Sequence, residues 1–278
     1  MNFKSIFTGP LCNNNCIFCF NDKKKRNKSN GQIKNELNKL KENNLNLSFY
    51  GGEITIRDDF FDLTHSAKEL NFQNIRIETN ARIFASKEFC QKTIDAGVTE
   101  FSVSLHGFCG EQHDYITRTP HSFKQTTRGI KNLISLDQKV SANIVIVKPN
   151  FRDLSKILRK LELLKIKHVN FQFVNPEGNA FENFESIVPL YTLAAPFISK
   201  VINQSIEKNI KTTVSSIPYC FIPGYEKYLH KNIFHEESIK FEKCENCYFN
   251  NRCNGIWKNY IEKAGEREFE FLKNQIKI

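Results

Sequence analysis

Short runs rich in β-branched and aromatic residues alternate along the chain with longer stretches whose apolar positions recur at helical period. The runs predict strands at residues 3–8, 47–50, 75–78, 100–105, 141–147 and 169–174, and the stretches between them predict helices at 32–43, 58–70, 87–96, 122–136 and 151–164. Such an order is the pattern of parallel strands joined by right-handed helical crossovers. The expected fold is therefore α/β, a partial (β/α)6 barrel of the TIM type. Its chemistry should gather on the loops at the carboxyl ends of the strands.

After Asn175-Pro176-Glu177-Gly178 the pattern changes to a helical stretch at 188–207, a candidate strand at 211–215 and a cysteine-rich tail. We assign the barrel to residues 1–180 and a small C-terminal cysteine-rich region to 181–278. With 278 residues, 40% of them hydrophobic, the chain can bury one large core plus such an appendage.

Charge alters this picture little. The formal net charge of +10 comes from lysines scattered among asparagines and isoleucines, and only residues 22–34, "DKKKRNKSNGQIK", form a dense basic run. That run reads as a solvated loop leading into a helix, or as a patch for an acidic partner. No stretch approaches the roughly 18 consecutive apolar residues of a membrane span, so a soluble protein is expected. Nine cysteines and no apolar signal segment point to the cytoplasm, where thiols stay free for metal, rather than to a secreted disulfide framework.

The cysteines carry the chemistry. Cys12, Cys16 and Cys19 stand at C-x3-C-x2-C spacing in "GPLCNNNCIFCFND", and no histidine precedes His65. Structural zinc wants four closed ligands, which Cys90 or Cys109 would have to complete through folding. A [4Fe–4S] cube can instead be held by three thiolates, with one iron left open to a small coordinating molecule. Both readings stand on spacing alone.

The segment Cys12-Asn13-Asn14-Asn15-Cys16-Ile17-Phe18-Cys19, following a strand and with Phe18 before the last cysteine, resembles the signature loop of radical S-adenosylmethionine (SAM) enzymes. The resemblance implies that the three cysteines hold a [4Fe–4S] cluster. It implies that SAM chelates the fourth iron, and that the reduced cluster cleaves SAM to a 5′-deoxyadenosyl radical that takes hydrogen from a substrate. Three further strand ends fit it. "SFYGGEIT" supplies Gly51 and Gly52, glycines that permit close backbone approach to a ligand, and Glu53, an anion for the SAM amino group. "IETNAR" supplies Thr79 and Asn80 and resembles the family's Thr-Asn-Gly segment, with Ala81 where glycine is usual. In "FSVSLHG", Ser102 and Ser104 share one strand face, and Ser104, nearer the carboxyl end, is the candidate for the SAM ribose. Candidate catalytic residues on the loops that follow are His106, Cys109 and Arg118. Arg118 lies in "HDYITRTPHSF", which is similar to the segment of molybdopterin-biosynthetic and peptide-maturing members where His-Asp leads to Ser-Phe and a helix.

The tail presents Cys244, Cys247 and Cys253 at C-x2-C-x5-C spacing, with Cys220 upstream. Four thiolates would close a zinc site. The arrangement also resembles the SPASM/twitch regions of auxiliary-cluster radical SAM enzymes, the twitch form more closely, and so implies a second [4Fe–4S] cluster. Cys90, inside a predicted helix, reads as a buried apolar thiol.

The resemblance implies an enzyme fed by a reductant such as flavodoxin or ferredoxin. A peptide is the leading substrate class, with a small metabolite, a nucleotide or RNA as alternatives. The barrel begins within a few residues of Met1, so a peptide substrate would call for a separate precursor-recognition protein or for docking on the barrel itself. A non-catalytic zinc and nucleic-acid binder is the competing class, but it leaves Gly51-Gly52-Glu53 and the barrel pattern without a purpose.

Overall fold

The computed structural model describes residues 3–21, 26–41, 46–230 and 237–270. In chain order the elements are β1 (Phe3–Phe7), α1 (Asn30–Leu40), β2 (Asn46–Tyr50), α2 (Phe60–Glu69), β3 (Asn74–Thr79), α3 (Lys87–Asp95), β4 (Glu100–Ser104), α4 (Gly110–Thr117), α5 (Ser122–Ser135), β5 (Lys139–Ile146), α6 (Leu154–Leu163) and β6 (His168–Phe173). There follow α7 (Asn179–Glu182), α8 (Phe184–Ile187), α9 (Tyr191–Glu207), β7 (Lys211–Ser215), β8 (Ser238–Ile239), β9 (Ile256–Trp257), α10 (Lys258–Ala264) and α11 (Arg267–Glu270).

The first seven strands form one sheet in sequential order, and β8 pairs with β9 in a small antiparallel ribbon. The pairings of β1 through β5 are parallel, as is that of β6 with β7. This is the expected α/β partial barrel, and the strand expected at 211–215 joins its sheet as a seventh instead of standing in the C-terminal region. That strand, β7, runs in register from His168↔Lys211 to Gln172↔Ser215. Its sequence, Lys-Thr-Thr-Val-Ser, holds a single large apolar residue, so it reads weakly as a barrel strand. Helix α4 was not predicted; its eight residues carry only three buried positions, too short a periodic signal. Of the predicted helix 32–43, α1 covers up to Leu40, opened by a capping box between Ser29 and Gln32. Residues 42 and 43 lie outside the described residues, as do residues 22–25 of the basic run.

Contacts divide the chain into two compact units. The first comprises Met1–Cys16, Asn21–Asn143 and Leu163–Lys167. Its core is the alternating inward set Leu47, Phe49, Ile75, Ile77, Phe101 and Val103, all buried. Helix α5 lies against the turn after β3, because Gly129 has no side chain: a Cβ there would stand 2.2 Å from the Ala81 carbonyl oxygen. Cys90 is buried as expected, and burial pushes its thiol up to about 11.

The second unit comprises Ile17–Phe20, Ile144–Glu162 and His168–Ile278. Val169, Phe171 and Phe173 of β6 and Tyr191, Ala194, Ile198 and Ile202 of α9 form its core. Residues Phe184–Glu207, which take in α8 and α9, hold an 18-residue window with a mean hydropathy of 1.2, apolar enough to span a bilayer by composition, yet half of that window is buried inside the protein. The buried face of α9 belongs to the core, which accounts for its apolar composition.

Candidate cofactor site

The three-cysteine loop starts where β1 ends, and its first turn is set by the glycines after β2. Gly52 N donates to the Gly9 carbonyl at 2.7 Å and Glu53 N to the Leu11 carbonyl at 2.6 Å. A Cβ on Gly52 would lie 2.0 Å from the Leu11 carbonyl oxygen, and one on Gly51, at φ +136°, would lie 2.7 Å from that of Gly9. The close approach that these glycines permit is therefore made first to the chain itself. It fixes the backbone that delivers Cys12.

The three asparagines between Cys12 and Cys16, met in the sequence only as spacers, are anchored by the turn after β3. Asn80 Nδ2 donates to Asn13 Oδ1 at 2.7 Å, and Arg82 Nη1 donates to the Asn13 carbonyl at 2.6 Å and to Asn14 Oδ1 at 2.9 Å. Asn15 N donates to the Thr117 carbonyl at 3.0 Å, and Asn14 N to Cys12 Sγ at 3.4 Å. Arg82 itself is held by Gln125 Oε1 at 2.6 Å. Ala81 sits at φ +57°, so it adopts the left-handed conformation that glycine takes without strain. The departure from the family pattern keeps the backbone shape. Arg82→Ala removes two charge-assisted anchors of this loop and is expected to destabilise the protein by about 2 kcal/mol. It should also speed the loss of iron from the reconstituted protein, followed by bleaching of the visible absorbance; an unchanged bleaching rate would show that the loop holds its shape without Arg82.

Glu53 is only 2% exposed. Its Oε1 accepts from Thr55 Oγ1 (2.6 Å), Thr79 Oγ1 (2.8 Å) and Thr55 N (3.3 Å), and its Oε2 accepts from Asn80 N (2.6 Å). Burial raises its pKa above the ordinary carboxylate value against the pull of these bonds. A carboxylate offers about four acceptor directions, two on each oxygen, and Oε2 keeps room for a further donor. A cation placed there would favour the ionised form. Thr79 and Asn80 spend their polar groups inside the chain. Asn80 Oδ1 accepts from Arg82 N at 3.0 Å and the Asn80 carbonyl from Thr126 Oγ1 at 2.7 Å. They act as braces between Glu53 and the cysteine loop.

Ser104, half-buried, ends β4 in register with Asn143. His106 follows it and is 3% exposed; burial, and then the nearby His113, hold it well below its ordinary pKa and hence neutral. The two imidazoles are stacked with centroids 5.9 Å apart, and His106 N donates to His113 Nδ1 at 3.1 Å. Burial brings His113 down to about 4. Asp114 accepts at the start of α5 from His121 N (2.6 Å), Phe123 N (2.7 Å) and Ser122 Oγ (2.8 Å). The His-Asp and Ser-Phe pairs of the sequence are thus one fastening: His113 holds the loop after β4 and Asp114 caps the next helix. Cys109 precedes α4, half-buried, with its thiol raised by burial and by Glu111. Arg118 ends α4 in the left-handed conformation with its side chain exposed.

A family model described as the radical SAM superfamily matches residues 6–161. The chain belongs to the radical SAM superfamily. It is 27% identical over 129 residues to a probable GTP 3′,8-cyclase of Saccharolobus islandicus, an alignment covering 46% of this chain and 41% of the relative. The chain thus spans about two-fifths of the length of the curated relatives it matches. Among solved structures, SuiB of Streptococcus suis bound to S-adenosylmethionine superposes with a TM-score of 0.71 at 15% identity, covering 93% of this chain and 73% of SuiB. Native anSMEcpe with bound AdoMet and the Kp18Cys peptide superposes with a TM-score of 0.66 at 13% identity, covering 97% of this chain and 99% of that one.

Membership of the radical SAM superfamily implies a [4Fe–4S] cluster and SAM. Among the described residues no three His, Cys, Asp or Glu side chains converge as a cage for a single ion, so the fit rests on donor chemistry and backbone. Both favour the cluster: three half-buried thiols lie in one loop, a backbone N–H already points at Cys12 Sγ, and two glycines draw β2 against that loop. Cys19, after half-buried Phe18, belongs to the second unit. There its carbonyl accepts from Asn179 N at 3.0 Å, and a Cβ on Gly178, at φ +52°, would stand 2.6 Å from it. The Asn-Pro-Glu-Gly turn, read in the sequence as a boundary, therefore also seats Cys19.

In the second unit four further cysteines share one cleft, without converging as a single-ion cage. Cys220, Cys244, Cys247 and Cys253 all line this open cleft, walled by aromatic residues such as Tyr219, Phe249 and Phe269. Burial, and then Cys253, Cys244 and Cys247, push the Cys220 thiol up to about 12. Such mutual opposition is relieved when thiolates bind metal. Gly255, at φ +84°, donates from its N–H to Cys253 Sγ at 3.4 Å and passes so near β8 that a Cβ would meet the Ile239 carbonyl oxygen at 2.1 Å.

Proposed function

We propose that the protein is a radical SAM enzyme that carries a second [4Fe–4S] cluster on Cys220, Cys244, Cys247 and Cys253 and modifies a peptide, as in SPASM/twitch enzymes. When bound, the first cluster and SAM supply a 5′-deoxyadenosyl radical able to take hydrogen from an unactivated C–H bond. The chain's own residues do the rest. Cys12, Cys16 and Cys19 offer three thiolates, Arg82 and Asn80 hold the asparagine loop, and Glu53 keeps one acceptor direction for the SAM ammonium. Ser104 stands at the end of β4 for a ribose hydroxyl, and neutral His106 supports the loop beyond it.

The lining of one cleft by Cys220, Cys244, Cys247 and Cys253 carries the two-cluster reading. Likeness of fold across 97% of the chain to anSMEcpe with a bound peptide, and across 89% to SuiB bound to its precursor peptide SuiA, supports the peptide class. The cyclase relatives favour a nucleotide as the second reading, but they reach only 46% of the chain. A reductant such as flavodoxin or ferredoxin in the cytoplasm is the partner this chemistry calls for, with a separate precursor-recognition protein where the peptide is long.

Anaerobic reconstitution tests both parts. The chain should take up about eight irons, and Cys244→Ala with Cys247→Ala should take up about four while still cleaving SAM under dithionite. Equal iron in the two proteins would remove the second cluster. Consumption of GTP by the reconstituted protein would replace the peptide with a nucleotide.

A further inference from the structure

Tyr191 opens α9 at the centre of an aromatic stack. Its ring centroid lies 4.3 Å from that of Phe173, 4.4 Å from Tyr260 and 4.9 Å from Phe221, and the residue is 0% exposed. The polar groups around it are provided for. Tyr191 N donates to Tyr260 Oη at 3.2 Å, Tyr260 Oη donates to Glu268 Oε2, and Glu268 Oε1 accepts from Thr192 Oγ1 at 2.7 Å and Thr192 N at 2.8 Å. The Tyr191 hydroxyl alone in this network has no hydrogen-bond partner.

A buried hydroxyl without a partner costs about 1–3 kcal/mol. Phenylalanine would fill the same slot without that cost, so the hydroxyl points to an acceptor outside the polypeptide. Glu268, bound to Thr192 and Tyr260, makes no hydrogen bond to the Tyr191 hydroxyl, which is left without a partner. The cysteine cleft adjoins this stack: Phe221, stacked on Tyr191, follows Cys220 in the chain, and Phe269, 6.4 Å from the Tyr191 ring, lines the cleft with Cys220 and Cys253, whose charges act on the hydroxyl after that of Glu268.

We propose that the Tyr191 hydroxyl donates a hydrogen bond to a sulfur of the iron–sulfur cluster held by Cys220, Cys244, Cys247 and Cys253, and so raises that cluster's reduction potential. The inference rests on the two-cluster reading above. Reduction adds negative charge to the cluster, and a donor aimed at its sulfur stabilises the added charge. Tyr191 is thereby a positioning residue that tunes the cluster without ligating iron.

The test uses the whole chain carrying Cys12→Ala, Cys16→Ala and Cys19→Ala, so that only the tail cluster gives a signal. Adding Tyr191→Phe is expected to leave about four irons in place and to move the midpoint potential, followed by electron paramagnetic resonance, to a more negative value. It should also abolish a deuterium-exchangeable proton coupling seen in the parent. An unchanged potential with the coupling retained overturns the proposal. If Tyr191→Phe fails to hold iron, the parent decides: absence of an exchangeable proton coupled to its cluster overturns the proposal, and its presence supports it. A parent that takes up no iron overturns the two-cluster reading itself, whatever Tyr191 does.

Discussion

Protein in which Cys12, Cys16 and Cys19 are all replaced by alanine is expected to form no 5′-deoxyadenosine above the level of iron-free protein. In the function proposed above each thiolate is one of three ligands on a cluster whose fourth iron stays open for SAM, and no histidine precedes His65 in the chain to take a vacated place. Alanine removes the donor and leaves the loop largely anchored, because apart from the Asn14 N bond to Cys12 Sγ the fastenings described above run through Asn13, Asn14, Asn15 and Gly9. Folding should therefore survive the loss of activity. The tail cysteines give the internal control, since about four irons should remain on them. SAM cleavage that persists in this variant would move the reaction away from the loop altogether.

The strands were legible because the two faces of a parallel sheet impose a period of two on β-branched and aromatic residues. Phe101 and Val103, or Val169, Phe171 and Phe173, stand inward as their spacing predicts. β7 was legible as a strand at 211–215, but its place in the barrel sheet was not, because pairing with β6 rather than its own composition puts it there. The site was legible at its cysteines and at Gly51-Gly52-Glu53, where residue type carries the chemistry. Its mechanical parts were not. Arg82 lies 69 residues from Asn13, and no local signal ties a charged residue after β3 to a spacer after β1. Gly51 and Gly52 read equally well as room for a ligand or for another stretch of backbone, and only the 2.0 Å approach to Leu11 shows which comes first. Ala81 looked like a departure until its φ of +57° showed that alanine keeps the turn. The orphaned Tyr191 hydroxyl is invisible in sequence for the same reason: satisfaction of a buried group depends on every neighbour at once.

The close approach at Gly52 leads to the sharpest expectation for a single atom group. Gly52→Ala is expected to lower the rate of SAM cleavage by about 100-fold, the effect of misplacing a reacting group by roughly 1 Å. The added methyl would stand 2.0 Å from the Leu11 carbonyl oxygen, 2.6 Å from the Leu11 carbonyl carbon and 2.7 Å from that of Pro10. All three are backbone atoms, so no side-chain rotation relieves the clash. Either the 9–11 segment shifts, carrying Cys12 with it, or the turn after β2 shifts, carrying Glu53. Overpacking of this kind typically costs about 1–3 kcal/mol, and the bonds from Gly52 N to Gly9 and from Glu53 N to Leu11 would weaken with it. Gly31→Ala supplies the contrast. A Cβ there meets nothing within 4 Å, and Gly31 lies inside α1, so the change should stabilise the protein by about 0.5–1 kcal/mol with cleavage unaltered. Equal rates of 5′-deoxyadenosine release from the two variants would mean that the cysteine loop does not depend on its contact with the glycine turn.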